Sequence, residues 1–263
     1  MSNLSICIVQ SELVWENRSE NLKHFAGLFE RDLKEHVDVI ILPEMFTTGF
    51  TMNVVSNYDV MDGETVNWMK QISVQYKTAI CGSVIICEEG SYFNRFIWVY
   101  EPDHQIQYYD KKHLFCLAKE DRYFKSGNKN ILIQYKDWNI SPFICYDLRF
   151  PEWMRNTNLA DLQIVVANFP KKRELAWKSL LPARAIENQC YIAATNIIGN
   201  DGNGIEYNGQ SAVYSFEGET LISCLDRSTI QLMSLDKHSL SVYRRAYPFL
   251  KDSDNFKELL FME

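Results

Sequence analysis

Three side chains able to take part in chemistry stand immediately after apolar runs. They are Glu44 in Leu42-Pro43-Glu44-Met45-Phe46, Lys111 in Tyr109-Asp110-Lys111-Lys112-His113-Leu114-Phe115, and Cys145 in Phe143-Ile144-Cys145-Tyr146-Asp147. A thiol is the natural nucleophile toward an unactivated carboxamide in metal-free chemistry, but with an ordinary pKa of about 8.5 it is only slightly ionised near neutrality. It needs a base and a positive neighbour. Glu44 can be that base if burial raises its carboxyl. Lys111 can favour the thiolate and donate to the oxyanion as the carbonyl carbon becomes tetrahedral, and the Tyr146 N–H is the candidate second oxyanion donor. Each residue also has a plainer reading when taken alone: a glutamate caps a helix, a lysine is solvated, a strand-end cysteine is a small buried hydrophobe. Cys7, Cys81, Cys87, Cys190 and Cys224 are expected to be buried thiols of that plain kind.

To bring the three together, the chain must end its strands on a common side, as open α/β folds do. Leu4 to Val9 reads as a strand, and Leu22, Phe25, Phe29 and Leu33 follow at helical spacing. Val37 to Leu42 is a nearly continuous β-branched run stopped by Pro43, as expected of a strand covered on both faces. Asp62 to Tyr76 is predicted helical, and Ala79 to Cys87, Arg95 to Tyr100 and Ile106 to Tyr109 are predicted strands, with a turn over 101–104. Further strands are predicted over Trp138 to Cys145, Leu162 to Ala167, Tyr191 to Asn196, Ser211 to Ser215, Thr220 to Leu225 and Thr229 to Leu235. Glu174 to Asn188 is predicted as a helix and Gly199 to Gly204 as a loop. No linker or repeat divides residues 1–263, so one α/β domain is expected. Periodicity alone fits either two packed sheets covered by helices or a single doubly wound sheet.

Composition narrows the function. With 27 Lys and Arg against 34 Asp and Glu the net charge is -7, which gives no electrostatic footprint for nucleic acid or an anionic membrane. A small-molecule partner is expected. An anionic one would need a local cation cluster working against the global field. Seven cysteines without CxxC spacing disfavour a disulfide framework or a structural zinc site. The five histidines, without HxH or HExxH spacing, disfavour metal-dependent hydrolysis. No metal and no cofactor is expected. The amino-terminal residues lack a basic segment leading into an apolar one, so a cytoplasmic location is expected.

On the three quoted motifs, and on Cys145-Tyr146-Asp147-Leu148-Arg149-Phe150-Pro151-Glu152, the chain resembles the nitrilase superfamily of carbon-nitrogen hydrolases over nearly its whole length. That resemblance implies a four-layer α-β-β-α sandwich, a Glu44, Lys111 and Cys145 catalytic set, and a positioning role for Glu120. It also implies a homodimer or larger assembly. Phe46-Thr47-Thr48-Gly49-Phe50, Asn168-Phe169-Pro170 and Asp201-Gly202-Asn203-Gly204 are similar to segments of the omega-amidases, which cleave the terminal amide of 2-oxo acid monoamides such as 2-oxoglutaramate. Tyr146-Asp147 stands where nitrilases proper carry Trp-Glu, which points away from nitriles.

The expected reaction is amide hydrolysis through a Cys145 thioester. Alternatives are a related hydrolase of nitriles, N-carbamoyl groups or peptide-like amides, and a non-catalytic binding protein on the same fold. An omega-amide substrate keeps one carboxylate. Arg173, in Pro170-Lys171-Lys172-Arg173, is the first choice to bind it, because a guanidinium can do so through two parallel hydrogen bonds. The rival reading of that run is a solvated loop. Arg149 is expected in a structural ion pair. Phe46, Phe50 and Phe169 are candidate pocket walls, and His113 is a rival base whose preferred role is packing or orientation.

Overall fold

The computed structural model describes residues 2–103, 105–157 and 159–253. In chain order the first half consists of β1 (Leu4–Gln10), α1 (Arg18–Asp32), β2 (Val39–Ile41), α2 (Val54–Asn57), α3 (Glu64–Tyr76), β3 (Ala79–Glu88), β4 (Ser91–Tyr100) and β5 (Gln105–Asp110). The second half begins with β6 (Ile133–Tyr135), β7 (Trp138–Ile144), α4 (Pro151–Met154), β8 (Leu162–Val166), α5 (Glu174–Asn188) and β9 (Tyr191–Thr195). It continues with β10 (Ile198–Asn200), β11 (Glu206–Asn208), β12 (Ala212–Tyr214), β13 (Thr220–Ser223), β14 (Thr229–Leu235) and α6 (Lys237–Ala246).

Two six-stranded sheets result, ordered β14-β1-β2-β3-β4-β5 and β13-β12-β9-β8-β7-β6, with β10 and β11 forming a separate hairpin. Each sheet has a parallel core, β1-β2-β3 in one and β7-β8-β9 in the other. Each core is extended by an antiparallel meander, β4-β5 or β12-β13, and flanked on its far side by one antiparallel strand, β14 or β6. The two sheets are thus topologically equivalent.

The alternation of side chains in β1 shows how the layers stack. Leu4, Ile6 and Ile8 join Ile144, Ile164 and Ala193 of the second sheet in one apolar cluster, whereas Cys7 and Val9 turn to Phe25, Phe29 and Met69 of α1 and α3. Trp177, Leu181 and Ala185 of α5 cover the second sheet from outside. The architecture is the four-layer α-β-β-α sandwich. In α1 the apolar stripe is Leu22, Phe25 and Phe29, and the Asn17 side chain caps the helix by accepting from the Glu20 N–H at 3.2 Å.

The segment read as a loop at 199–204 begins inside β10 and is the turn of the β10-β11 hairpin. Helix α6 was not expected; its start is fixed by Asp236, which accepts from the His238 N–H at 2.8 Å. The turn at 101–104 is a 3-10 segment at Glu101–Asp103, and His104 lies outside the described residues. Cys87 is only half-buried, while Cys7, Cys81, Cys190 and Cys224 are buried as expected. Burial pushes the thiols of Cys7, Cys190 and Cys224 up to about 12, so they are inert at neutral pH.

Candidate active site

Residues after four strands from the two sheets converge at the strand ends. β2 leads into Leu42-Pro43-Glu44. Pro43 has no N–H to extend the ladder, and Met45 takes a left-handed φ of 42°, its N–H donating to Ser83 Oγ at 2.9 Å. This kink leaves the Glu44 carboxylate fully buried between the sheets. Lys111 follows β5 and is likewise fully buried, its N–H donating to the Asn94 carbonyl at 3.0 Å.

The apolar pattern predicts Cys145 as the last residue of its strand, but β7 stops at Ile144. Cys145 opens a 3-10 turn, Cys145–Arg149, with a left-handed φ of 44°. A non-glycine residue there is strained, and the left-handed conformation takes the thiol off the pleat of the strand. Asp147 holds the turn. It is fully buried, and its Oδ2 accepts from the Ile144 N–H at 3.0 Å and from the Tyr109 hydroxyl at 2.7 Å. The Tyr146 N–H lies in the first turn of this segment, where no acceptor exists within the turn itself.

The polar groups are tightly cross-linked. Lys111 Nζ donates to Glu44 Oε1 at 2.9 Å and to both oxygens of Glu120 at 3.0 Å. Asn94 Nδ2 donates to Glu44 Oε1 at 2.8 Å and to Glu120 Oε1 at 3.3 Å, and Ser83 Oγ donates to Asn94 Oδ1 at 2.8 Å. The Asn168 N–H, just beyond β8, donates to Glu44 Oε2 at 2.7 Å, and Asn168 Nδ2 donates to the Glu44 carbonyl at 2.6 Å. Cys145 Sγ donates to the Asn168 carbonyl at 3.9 Å, and the thiol is close enough to Glu44, Lys111 and Glu120 for each to act on its ionisation. The structure therefore brings Glu44, Lys111, Glu120 and Cys145 into one cluster.

Electrostatics follows from this packing. Burial pushes the Cys145 thiol well above its usual range; Glu44 and Glu120 push the same way, and Lys111 opposes them. The resting state is therefore a neutral thiol. Burial would strip Lys111 of its proton, but Glu120, Glu44 and Cys145 more than offset this and hold the ammonium. Burial raises the Glu120 carboxyl, Lys111 opposes that rise and Glu44 adds to it. A thiol that ionises only when a carboxylate takes its proton, beside a fixed ammonium, suits attack on a neutral carbonyl.

A cavity of about 990 Å³ opens above the cluster, and Cys145, Lys111, Tyr146 and Asn168 lie on its surface while Glu44 sits behind them. Phe50, Phe115 and Phe169 supply apolar wall. Of the three phenylalanines considered as walls, Phe46 is the exception: it packs between α1 and α3 against Phe25 and Trp68. The opposite wall is interlocked at Trp15. A Cβ on Gly202 would meet the indole at 2.3 Å, and Gly49 abuts the same ring at a φ of 74°.

Arg173 lines the cavity, with its guanidinium 4.6 Å from the Phe115 ring centroid and 5.5 Å from that of Phe169. Stacking leaves the in-plane N–H donors free. Arg149 does not make the expected ion pair. It is exposed, lines the cavity and has no carboxylate partner among the described residues. His113 does not line the cavity. Its Nδ1 lies 2.9 Å from Asp147 Oδ1, and its ring stacks on Phe150 at 3.6 Å, so its contacts are those of an orienting residue. Sequence reasoning missed Asn94 and Asp147. An asparagine amid the apolar residues of β4 was the available signal, since asparagine is depleted in strands.

The carbon-nitrogen hydrolase family model matches residues 5–245. The chain is 41% identical to the omega-amidase YafV of Escherichia coli strain K12 over 258 residues, covering 98% of this chain and 99% of that protein. It is 31% identical to the 2-oxoglutaramate amidase of Bacillus subtilis strain 168 over 252 residues, covering 94% and 96% of the two chains. Among solved structures it superposes with a TM-score of 0.93 on XC1258 from Xanthomonas campestris, a CN-hydrolase superfamily protein with an arsenic adduct in its active site. That pair is 37% identical, with 97% and 98% of the chains covered. Fold, strand-end cluster and full-length similarity agree: this chain belongs to the carbon-nitrogen hydrolase family and is a hydrolase.

Proposed function

We propose that the chain is an omega-amidase that hydrolyses the terminal carboxamide of 2-oxo dicarboxylic acid monoamides, 2-oxoglutaramate and 2-oxosuccinamate, to the acid and ammonia. The observation that carries this reading is a buried thiol, carboxylate and ammonium cluster under a cavity lined by cations free to bind a carboxylate. Full-length similarity to an omega-amidase and a 2-oxoglutaramate amidase supports the substrate class.

In this mechanism the Glu44 carboxylate takes the Cys145 thiol proton as sulfur attacks the amide carbon, and Lys111 and the Tyr146 N–H stabilise the oxyanion. Collapse of the tetrahedral species breaks the C–N bond. The protonated Glu44 gives its proton to the departing nitrogen, which leaves as ammonia. Glu44 then deprotonates a water that attacks the thioester, the C–S bond breaks, and Glu44 returns the proton to sulfur. Glu120 positions Lys111, and Arg173 binds the substrate carboxylate. The reading also includes a cytoplasmic homodimer of single-domain chains. Exposed Leu175 and Ile186 on α5 are consistent with a covered helix face, and sedimentation at micromolar concentration tests it.

The deciding assay offers 2-oxoglutaramate, 2-oxosuccinamate, glutamine and a simple nitrile to the purified protein and measures ammonia. Ammonia is expected chiefly from the two oxo amides; preference for glutamine or the nitrile would reject the reading. A substrate-derived mass on Cys145, absent from Cys145→Ala, is the expected sign of the thioester.

A further inference from the structure

We propose that Asn94, oriented by Ser83, is a positioning residue that selects which oxygen of Glu44 takes the Cys145 proton: it holds Oε1 as an acceptor and leaves Oε2 to act as the base. This rests on Glu44 being the base, and not on the identity of the amide.

Ser83 on β3 and Asn94 on β4 are fully buried, and strand pairing makes them diagonal neighbours: Ser83 stands opposite Phe96, and Asn94 opposite Ile85. Buried polar groups are costly unless paired, and here the pairing has a fixed direction. Ser83 Oγ accepts from the Met45 N–H at 2.9 Å, so its own proton goes to Asn94 Oδ1 at 2.8 Å. With Oδ1 engaged, Asn94 turns its NH2 to the carboxylates and donates to Glu44 Oε1 at 2.8 Å and to Glu120 Oε1 at 3.3 Å. A flipped amide would set Oδ1 against both carboxylates and deprive the Ser83 proton of its acceptor. The Asn94 carbonyl also accepts from the Lys111 N–H at 3.0 Å, so one residue steadies the lysine's backbone and an oxygen of the base.

Lone pairs decide where the proton goes. A carboxylate has about four acceptor sites, two on each oxygen. Glu44 Oε1 already accepts two hydrogen bonds, from Asn94 Nδ2 and from Lys111 Nζ at 2.9 Å. Oε2 accepts from the Asn168 N–H at 2.7 Å, and the same Asn168 presents its carbonyl to Cys145 Sγ at 3.9 Å, so Asn168 brackets the sulfur and Oε2. A proton arriving on Oε1 would face two donors and break a bond to Lys111 or Asn94. On Oε2 it meets a free lone pair, and Oε1, now the carbonyl oxygen of a neutral acid, keeps both of its bonds. The S–H bond breaks, the Oε2–H bond forms, and neither Lys111 nor Asn94 has to move, as suits a preorganised site. The titratable groups around Glu44 are Lys111, Glu120, Cys145 and Tyr207, and Asn94 is a neutral donor shared by the carboxylates of Glu44 and Glu120.

The test measures kcat, KM and the pH dependence of kcat/KM in wild type, Asn94→Leu and Ser83→Ala, with whichever of the four substrates above releases ammonia fastest. Asn94→Leu nearly keeps the side chain's size but removes its donor. Losing a donor to a carboxylate favours the protonated form, so the acid limb of kcat/KM, which reports the essential base of the free enzyme, should move up by about one pH unit. At pH 7 kcat should fall about 10- to 100-fold, and KM should change less than about threefold. Ser83→Ala frees the amide from its orientation and should move the limb the same way by about half as much. Circular dichroism checks the fold of each variant, and if Asn94→Leu does not fold, Ser83→Ala decides by the same criterion. A pair with only a structural role would lower the melting temperature and leave the limb at its wild-type position; that result in a folded variant overturns the assignment. Wild-type acylation by Glu44→Gln, or a wild type inert to all four substrates, would overturn the base and this assignment together. Preference for glutamine or the nitrile would reject the omega-amidase reading, and a shifted limb measured with that substrate would still support Asn94.

Discussion

The floor and the mouth of the cavity hold charge in opposite ways. At the floor, Glu44, Lys111 and Glu120 are fully buried and every charge is hydrogen-bonded to a partner within the protein. At the mouth, Arg149, Lys172 and Arg173 reach the same cavity without a carboxylate partner among the described residues. Satisfied charges inside a dry site are costly to assemble but stay in place, which suits groups that must meet a transition state without reorganising. Unsatisfied charges at a wet rim cost little and are available to a ligand. The difference teaches where chemistry and recognition divide: a change at the floor should lower kcat, and a change at the mouth should raise KM.

The strongest way to break that division is Glu44→Gln, which keeps shape but removes the base. A fall in kcat of about 10³-fold is expected, within the usual range for a general base, with KM changed far less. Single-turnover measurement of thioester formation checks it, and a mutant that acylates at the wild-type rate would move the base elsewhere. Next in size is Arg173→Met at the mouth. Loss of a bidentate charge-assisted contact should lower kcat/KM for 2-oxoglutaramate by about 10- to 100-fold, almost wholly in KM. If kcat fell equally, the division between floor and mouth would be wrong. The third test is gentler and uses wild type without substrate. With the Cys145 thiol raised by burial and by Glu44, the charged thiolate is disfavoured, so raising the pH must increase its population through and beyond the range of an ordinary thiol. Iodoacetamide alkylation of Cys145 should therefore climb about tenfold per pH unit from pH 7 to 9 without levelling near 8.5. A plateau below pH 8 would mean that Lys111 outweighs burial.

Much of the floor was readable in the sequence because its residues are tied to local signals. Glu44 follows a β-branched run ended by proline, and Cys145 follows a long apolar strand; such endings are visible without tertiary knowledge. Helix α5 and strand β14 have the bounds their periodicity predicts. The division into two sheets was not readable from periodicity, since a strand's pattern records that it is covered but not which strand it pairs with. Strands β6, β10 and β11 span only three residues each, too few to show a period. The mouth was harder still. Whether Arg149 pairs or stays free depends on acids brought near by distant segments, so its own neighbours in sequence suggested an ion pair that the fold does not make. Phe46 and Phe50 are four residues apart and chemically identical, yet one faces the α1 and α3 core and the other the cavity.

The catalytic cluster is divided between the two sheets. Glu44, Asn94 and Lys111 belong to one sheet and its loops, whereas Cys145 and Asn168 belong to the other, so the nucleophile and its base meet only while the sheets stay closed on each other. A slight parting of the layers would separate sulfur from carboxylate before any strand lost its ladder. Enzyme activity is in this sense a gauge of inter-layer closure. Under mild denaturant it should fade ahead of the far-ultraviolet circular dichroism, reporting a native-state opening that secondary structure does not register.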